Sequence, residues 1–101
     1  MSVKLVIVTT RPNKDVPWFT EIPGNENKLT ELQARVASAP GFISMTVEDK
    51  TELQRTKTIE FEDDVALRNY VLLNEQDIQA RSAYREEYLA KFGCTEDIYL
   101  A

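Results

Sequence analysis

A chain of 101 residues has room for one small domain with one core. Its net charge of −5, spread without any basic block, excludes a sequence-independent grip on nucleic acid or anionic lipid. A single cysteine, Cys94, excludes an intrachain disulfide, and the absence of histidine removes the commonest metal ligand and the commonest catalytic base.

The first predicted element is a strand over Val3–Thr10, rich in β-branched residues. Val3, Leu5 and Ile7 face one way, Val6 and Val8 the other, so the strand is expected at the centre of a sheet covered on both sides. The apolar run Leu5–Val8 is too short for a secretory segment or a bilayer span. A cytoplasmic protein that does not enter the membrane is the expectation, in keeping with the lone thiol.

Arg11 to Asn27 follows, with three prolines and a glycine that forbid regular structure over most of it. The segment is long for a connection in so small a domain, and it carries Trp18 and Phe19. These two rings read either as the closure of a cavity or as anchors of an Ω-loop or of a partner chain.

A helix is predicted from Leu29, Leu32 and Val36, capped by Asn25 or Asn27 and stopped by Pro40-Gly41. A strand Phe42–Glu48 comes next, with Ile43, Met45 and Val47 on one face and Phe42, Ser44 and Thr46 on the other. The third strand, Leu53–Glu62, sets Ile59 and Phe61 against a polar face of Thr56, Thr58 and Glu60. Asp63 or Asp64 caps a second helix, which stumbles at Asn74–Asp77 and resumes, so two pieces with a bend are expected. On the second piece Tyr84, Tyr88 and Phe92 share one face, and Gly93 ends it. Thr95–Ala101 reads as the fourth strand.

The order β-α-β-β-α-β, as one domain over residues 1–101, is the ferredoxin-like arrangement: a four-stranded antiparallel sheet with helices on one face. The opposite face, with Val6 and Val8, then needs a cover, and a second copy of the chain is the economical one.

The stretch "APGFISMTVED" followed by "TKTIEFEDDVALRNY" resembles the middle of the dimeric α/β-barrel superfamily of antibiotic-biosynthesis monooxygenase-like proteins. The residues that carry the likeness are Pro40, Gly41 and Phe42, then Phe61, Glu62 and Asp63. It implies two protomers paired sheet to sheet, each with a cavity between sheet and helices. Cofactor-free oxygenases, haem-degrading enzymes and isomerases share that fold, so the likeness does not settle activity. Without histidine, the haem-binding route of some members is closed, and no cofactor or metal is expected.

The candidate ligand-binding residues are Leu5, Ile7, Trp18, Phe19, Ile59, Phe61, Tyr70, Arg81, Tyr84 and Tyr88. Tyr84 and Tyr88 can offer hydroxyls, although an aromatic stripe at helical spacing also serves as core. Arg81 and Arg85 can clamp a carboxylate, or belong to a solvated face with Glu75, Asp77, Glu86 and Glu87. Glu60 reads as part of a polar network on the dimer face, and Cys94 as a small buried hydrophobe.

The functional expectation is a small dimer that binds a mostly apolar molecule. The alternatives are a cofactor-independent monooxygenase acting on a quinol or phenol, with Trp18, Tyr84 or Asn69 as polar partners, and an interaction domain with a filled core.

Overall fold

The structure, a computed structural model, describes residues 2–101. Its elements are β1 (Val3–Thr10), a 3-10 turn (Phe19–Glu21), α1 (Lys28–Ala37), β2 (Phe42–Asp49), β3 (Gln54–Phe61), α2 (Asp64–Leu73), α3 (Glu75–Phe92) and β4 (Thr95–Leu100). All strand pairs are antiparallel, in the order β2-β3-β1-β4, so β1 is central. This is the ferredoxin-like sheet, with its second helical arm in two pieces.

Local chemistry explains the element ends. Asp63 caps α2 by accepting a hydrogen bond from the Ala66 amide at 2.8 Å. Asn27 stands at the start of α1 without a side-chain capping bond. Asn74 leaves helical geometry, with φ −117° and ψ 20°, and divides α2 from α3. Its backbone amide and its side-chain amide both donate to the Tyr70 carbonyl, at 3.1 and 2.9 Å, which secures the last turn of α2. Gly93 ends α3 in the left-handed region, φ 69°, where a side chain is strained.

The second strand departs from simple alternation. Phe42 pairs with Phe61 and Met45 with Ile59, and the register shifts between Phe42 and Ser44. One extra residue, Ile43, is absorbed as a bulge. Phe42 therefore joins Met45 on the helix side rather than Ser44 and Thr46 on the other, and Ile43 is half exposed. Phe42 meets Phe61 edge-on, with ring centroids 6.2 Å apart.

The core lies between the sheet and α1 and α2. Leu32, Val36, Ile59, Phe61, Ala66, Leu67 and Tyr70 form it, with Phe61 and Val36 fully buried. Val6, on the opposite face, is only 6% exposed within the single chain; its Cα partners there are Thr58 and Tyr99. Tyr99 of β4 is more than half exposed on that same face, and Ile98 and Leu100, on the helix side of β4, are as exposed. No helix among the described residues is long and apolar enough to cross a membrane.

Candidate functional site

Cross-strand partners share a face, so the helix side of the sheet can be read as rows running across it. The first row is Phe42, Phe61 and Val3. The second is Met45, Ile59, Leu5 and Leu100, and the third is Val47, Lys57, Ile7 and Ile98. The fourth is Asp49, Arg55, Thr9 and Glu96. From the first row to the fourth the inward face of the sheet thus changes from apolar to charged. The apolar end is filled by the core, and a cavity of about 290 Å³ opens over the other rows.

Leu5, Ile7 and Ile59 form its floor, and Leu29 and Leu32 of α1 stand on one side. Trp18, Phe19, Tyr70, Tyr84, Tyr88 and Arg81 also line it. Nine of the ten residues singled out from the sequence therefore surround one space. Phe61 is the exception. It lies one row deeper, with no exposure, against Phe42 and Tyr70, because the first row is covered by the core.

The proline-rich loop is held firmly over this space. Trp18 is 6% exposed, and the guanidinium groups of Arg11 and Arg55 lie over its ring at 4.3 and 4.7 Å. Its amide donates to the Glu21 carboxylate at 2.8 Å. Phe19 meets Tyr88 edge-on at 5.6 Å. Both rings of the loop are thus anchored within their own chain.

The tyrosines divide their tasks. The Tyr88 hydroxyl donates to the Pro17 carbonyl at 2.7 Å and receives a weak bond from the Cys94 thiol at 3.6 Å. Burial, together with that thiol, pushes the Tyr88 hydroxyl up out of the usual tyrosine range. It therefore ties the loop down and is not free for a ligand. Tyr84 is half exposed at the mouth, with the Lys28 ammonium 5.3 Å from its ring centre. Among the described residues the buried Tyr70 hydroxyl has no hydrogen-bond partner. Asn69 is exposed and lines a separate outer groove beside Glu62 and Leu73, so it takes no part in the cavity.

Lys57, Arg55 and Glu96 were not singled out from the sequence, yet all line the cavity, and so does Arg85, which was read either as a carboxylate clamp with Arg81 or as part of a solvated face. Arg85 pairs with Glu96 across from α3 to β4, which corrects its reading as part of a solvated charged face. Glu96 also accepts from the Thr9 hydroxyl at 3.2 Å. Arg55 grips Asp49 through two bonds of 2.7 and 3.3 Å, and that hydrogen bonding holds the Asp49 carboxyl below its ordinary range. Lys57 stands among these groups. Burial pushes its ammonium down to about 8, helped by Arg85 and Arg81 and opposed by Glu96. The parity of Lys57 with Ile59 was the signal that could have found it.

Among the described residues no group of three His, Cys, Asp or Glu side chains stands ready to hold a metal ion.

Solved structures of similar fold include monooxygenases and a cofactor-independent oxygenase. SnoaB of Streptomyces nogalater, a cofactor-independent oxygenase, superposes in a mutant form with a TM-score of 0.65 at 20% identity. The match covers 99% of this chain and 90% of that one. The ActVA-Orf6 monooxygenase of Streptomyces coelicolor, solved with nanaomycin D, gives 0.55 at 18% identity over 97% and 84% of the two chains. A Deinococcus radiodurans protein assigned provisionally to the antibiotic biosynthesis monooxygenases gives 0.60 at 13% identity, over 100% and 88%. The family resemblance read from Pro40–Phe42 and Phe61–Asp63 is matched by these neighbours at the level of the fold. No protein-family profile and no curated protein sequence matches the chain.

Proposed function

We propose that the chain binds a small, mostly apolar molecule that carries one acidic hydroxyl, of the phenol or enol type. The observation that carries this reading is the change along the inward face from Leu5 and Ile59 to Lys57, Arg55 and Glu96. An aromatic or aliphatic body suits the floor, and an oxygen that gains negative charge suits the basic end. Arg81, Arg85 and Lys57 outnumber Glu96 there, so the end has a net positive field. Trp18 and Phe19 close one side of the space and exclude water from its contents.

A second reading is oxygenation of the bound molecule without a cofactor, and it is favoured by the likeness in fold to SnoaB and ActVA-Orf6. A phenolate is electron-rich enough to react with dioxygen, and the protein then supplies a dry, shaped pocket and cations beside the anion. Here Lys57 and Arg85 hold the developing charge, while Leu5, Ile7 and Ile59 keep water out.

The protomer pairs with a second copy through the open face of its sheet. Tyr99, half exposed beside Val6 on that face, supports this part of the reading. A reducing compartment such as the cytoplasm suits the buried free thiol of Cys94.

Titration with 1,4-naphthohydroquinone under air, following oxygen uptake and Trp18 emission together, separates the two readings. Quenching without oxygen uptake above the spontaneous rate indicates binding alone. Quenching with saturable uptake indicates an oxygenase. No quenching and no uptake contradict both.

A further inference from the structure

The following rests on the reading of the cavity as a ligand site and deepens it. We propose that Lys57 accepts the proton of the ligand's acidic hydroxyl, so that the molecule is held as its phenolate or enolate beside the Lys57 ammonium. The O–H bond of the ligand breaks, its electron pair stays on oxygen, and a new N–H bond forms at Nζ. No further reactant is required.

Position comes first. Lys57 lies on the inward face of β3, and its Cα partners are Ile7 and Val47. Its side chain therefore leaves the sheet between apolar neighbours and enters the cavity. Arg81 and Arg85 face it from α3, Glu96 from β4 and Arg55 from its own strand, and Lys28 of α1 lines the same space.

Several polar groups around Lys57 are already engaged, although among the described residues the Tyr70 hydroxyl deeper in the cavity is not. Glu96 is held by Arg85 and by the Thr9 hydroxyl. Arg55 is held by Asp49. The Tyr88 hydroxyl donates to Pro17. Among the described residues, of the charged side chains Arg55, Lys57, Arg81, Arg85 and Glu96, Lys57 alone has neither an ion pair nor a side-chain hydrogen bond. A buried ammonium is disfavoured, and more so beside the Arg85 and Arg81 guanidiniums than Glu96 offsets, in keeping with its lowering to about 8. A neutral amine is thus within reach near physiological pH.

Magnitudes allow the transfer. A phenol of ordinary acidity, about 10, is roughly a hundredfold too weak an acid for an amine at about 8 in the free protein. The phenolate, once formed, faces the new ammonium and the Arg81 and Arg85 guanidiniums. Attraction to one cation at about 4 Å in a partly buried site exceeds that hundredfold factor. The bound pair is therefore an anion and an ammonium, where the free partners are a phenol and a largely protonated amine.

Two compounds of nearly the same shape test this: 2-naphthol, and its methyl ether, which has no proton to give. Binding is followed by calorimetry, and the ionisation of bound 2-naphthol by its red-shifted absorbance. The wild-type protein is expected to hold naphtholate at pH 8, where free 2-naphthol is mostly neutral. Its affinity for 2-naphthol should climb toward tenfold per pH unit below about 8 and level off above it, because binding below that point must release a proton. Affinity for the ether should not change with pH. Lys57→Met is expected to bind 2-naphthol at least tenfold more weakly and as the neutral molecule, with the ether bound as before. A naphtholate band that persists in Lys57→Met, or a flat wild-type pH series, overturns Lys57 as the acceptor and leaves the cavity as a binding site. No binding of either compound contradicts the cavity reading, and the proposal falls with it. If Lys57→Met does not fold, the wild-type pH series decides alone.

Discussion

The phenolic hydroxyl of Tyr88 donates to the backbone carbonyl of Pro17 at 2.7 Å, across 71 positions of sequence. That bond fixes the loop before Trp18 to α3 and so holds one wall of the cavity in place. Tyr88→Phe leaves the Pro17 carbonyl without its donor. A loss of about 1–3 kcal/mol in stability is expected from urea unfolding. Trp18 emission should also shift to the red as water reaches the indole. An unchanged spectrum and stability would mean that the loop is held by its arginines alone.

Gly41 is required on two counts. Its φ is +83°, and a Cβ there would stand 2.6 Å from the Cβ of Ala66. Gly41→Ala should lower stability by about 2–4 kcal/mol, because left-handed strain adds to a clash with the first turn of α2. The double variant Gly41→Ala with Ala66→Gly should recover the part due to the clash and not the part due to strain. Thermal unfolding of the three proteins separates the two.

Lys57 makes the protein less stable than its packing allows. Its folded pKa, about 8, is below the unfolded value of 10.5, so the unfolded chain binds the extra proton between those limits. The penalty is fully present below about pH 8 and is relieved as pH rises toward 10.5, so this group alone makes stability increase with pH across that window. Lys57→Met should remove the penalty and stabilise the protein at pH 7 by about 1–3 kcal/mol. The gain should shrink in unfolding experiments at pH 9 and 10. A variant less stable than wild type at pH 7 would contradict this account of the residue.

Much of the fold was legible because it rests on local pattern. The alternation of Val3–Thr10, the Asp63 cap and the left-handed Gly93 each act within a few residues. The break near Asn74 was legible too, since apolar spacing fails there. The bulge at Ile43 was not, because no Gly or Pro marks it and its cause is the tertiary match of Phe42 to Phe61. In the cavity, apolar residues announced themselves by periodicity, and Leu5, Ile7 and Ile59 could be placed on one face. Lys57 shares that face, yet a charged side chain in a strand reads first as solvent-facing. Arg85 could be set beside Arg81 by spacing, but its partner could not be read, since only the return of β4 beside β1 brings Glu96 to it. Tyr88 was read as a hydroxyl for a ligand or as part of a core stripe, because nothing local reveals a carbonyl 71 positions away.

The open face of the sheet is tested through Tyr99, which is half exposed and lies beside Val6. Tyr99→Glu should convert a dimer to a monomer in sedimentation equilibrium while leaving the far-ultraviolet circular dichroism unchanged. A wild-type monomer, or a variant that remains dimeric, would contradict pairing through this face.

The central claim is that the space between Ile59, Trp18 and Arg85 is a binding site for an apolar molecule with an acidic hydroxyl. Calorimetric titration of 2-naphthol at several temperatures, into wild type and into Ser82→Phe, tests it most directly. Ser82 lines the cavity from α3, and a phenyl ring there should fill much of it. The account predicts one molecule per chain, a negative heat-capacity change as apolar surface is buried, and at least tenfold weaker binding to Ser82→Phe. Binding to the wild type that is absent, or that survives undiminished in a folded Ser82→Phe variant, would contradict it.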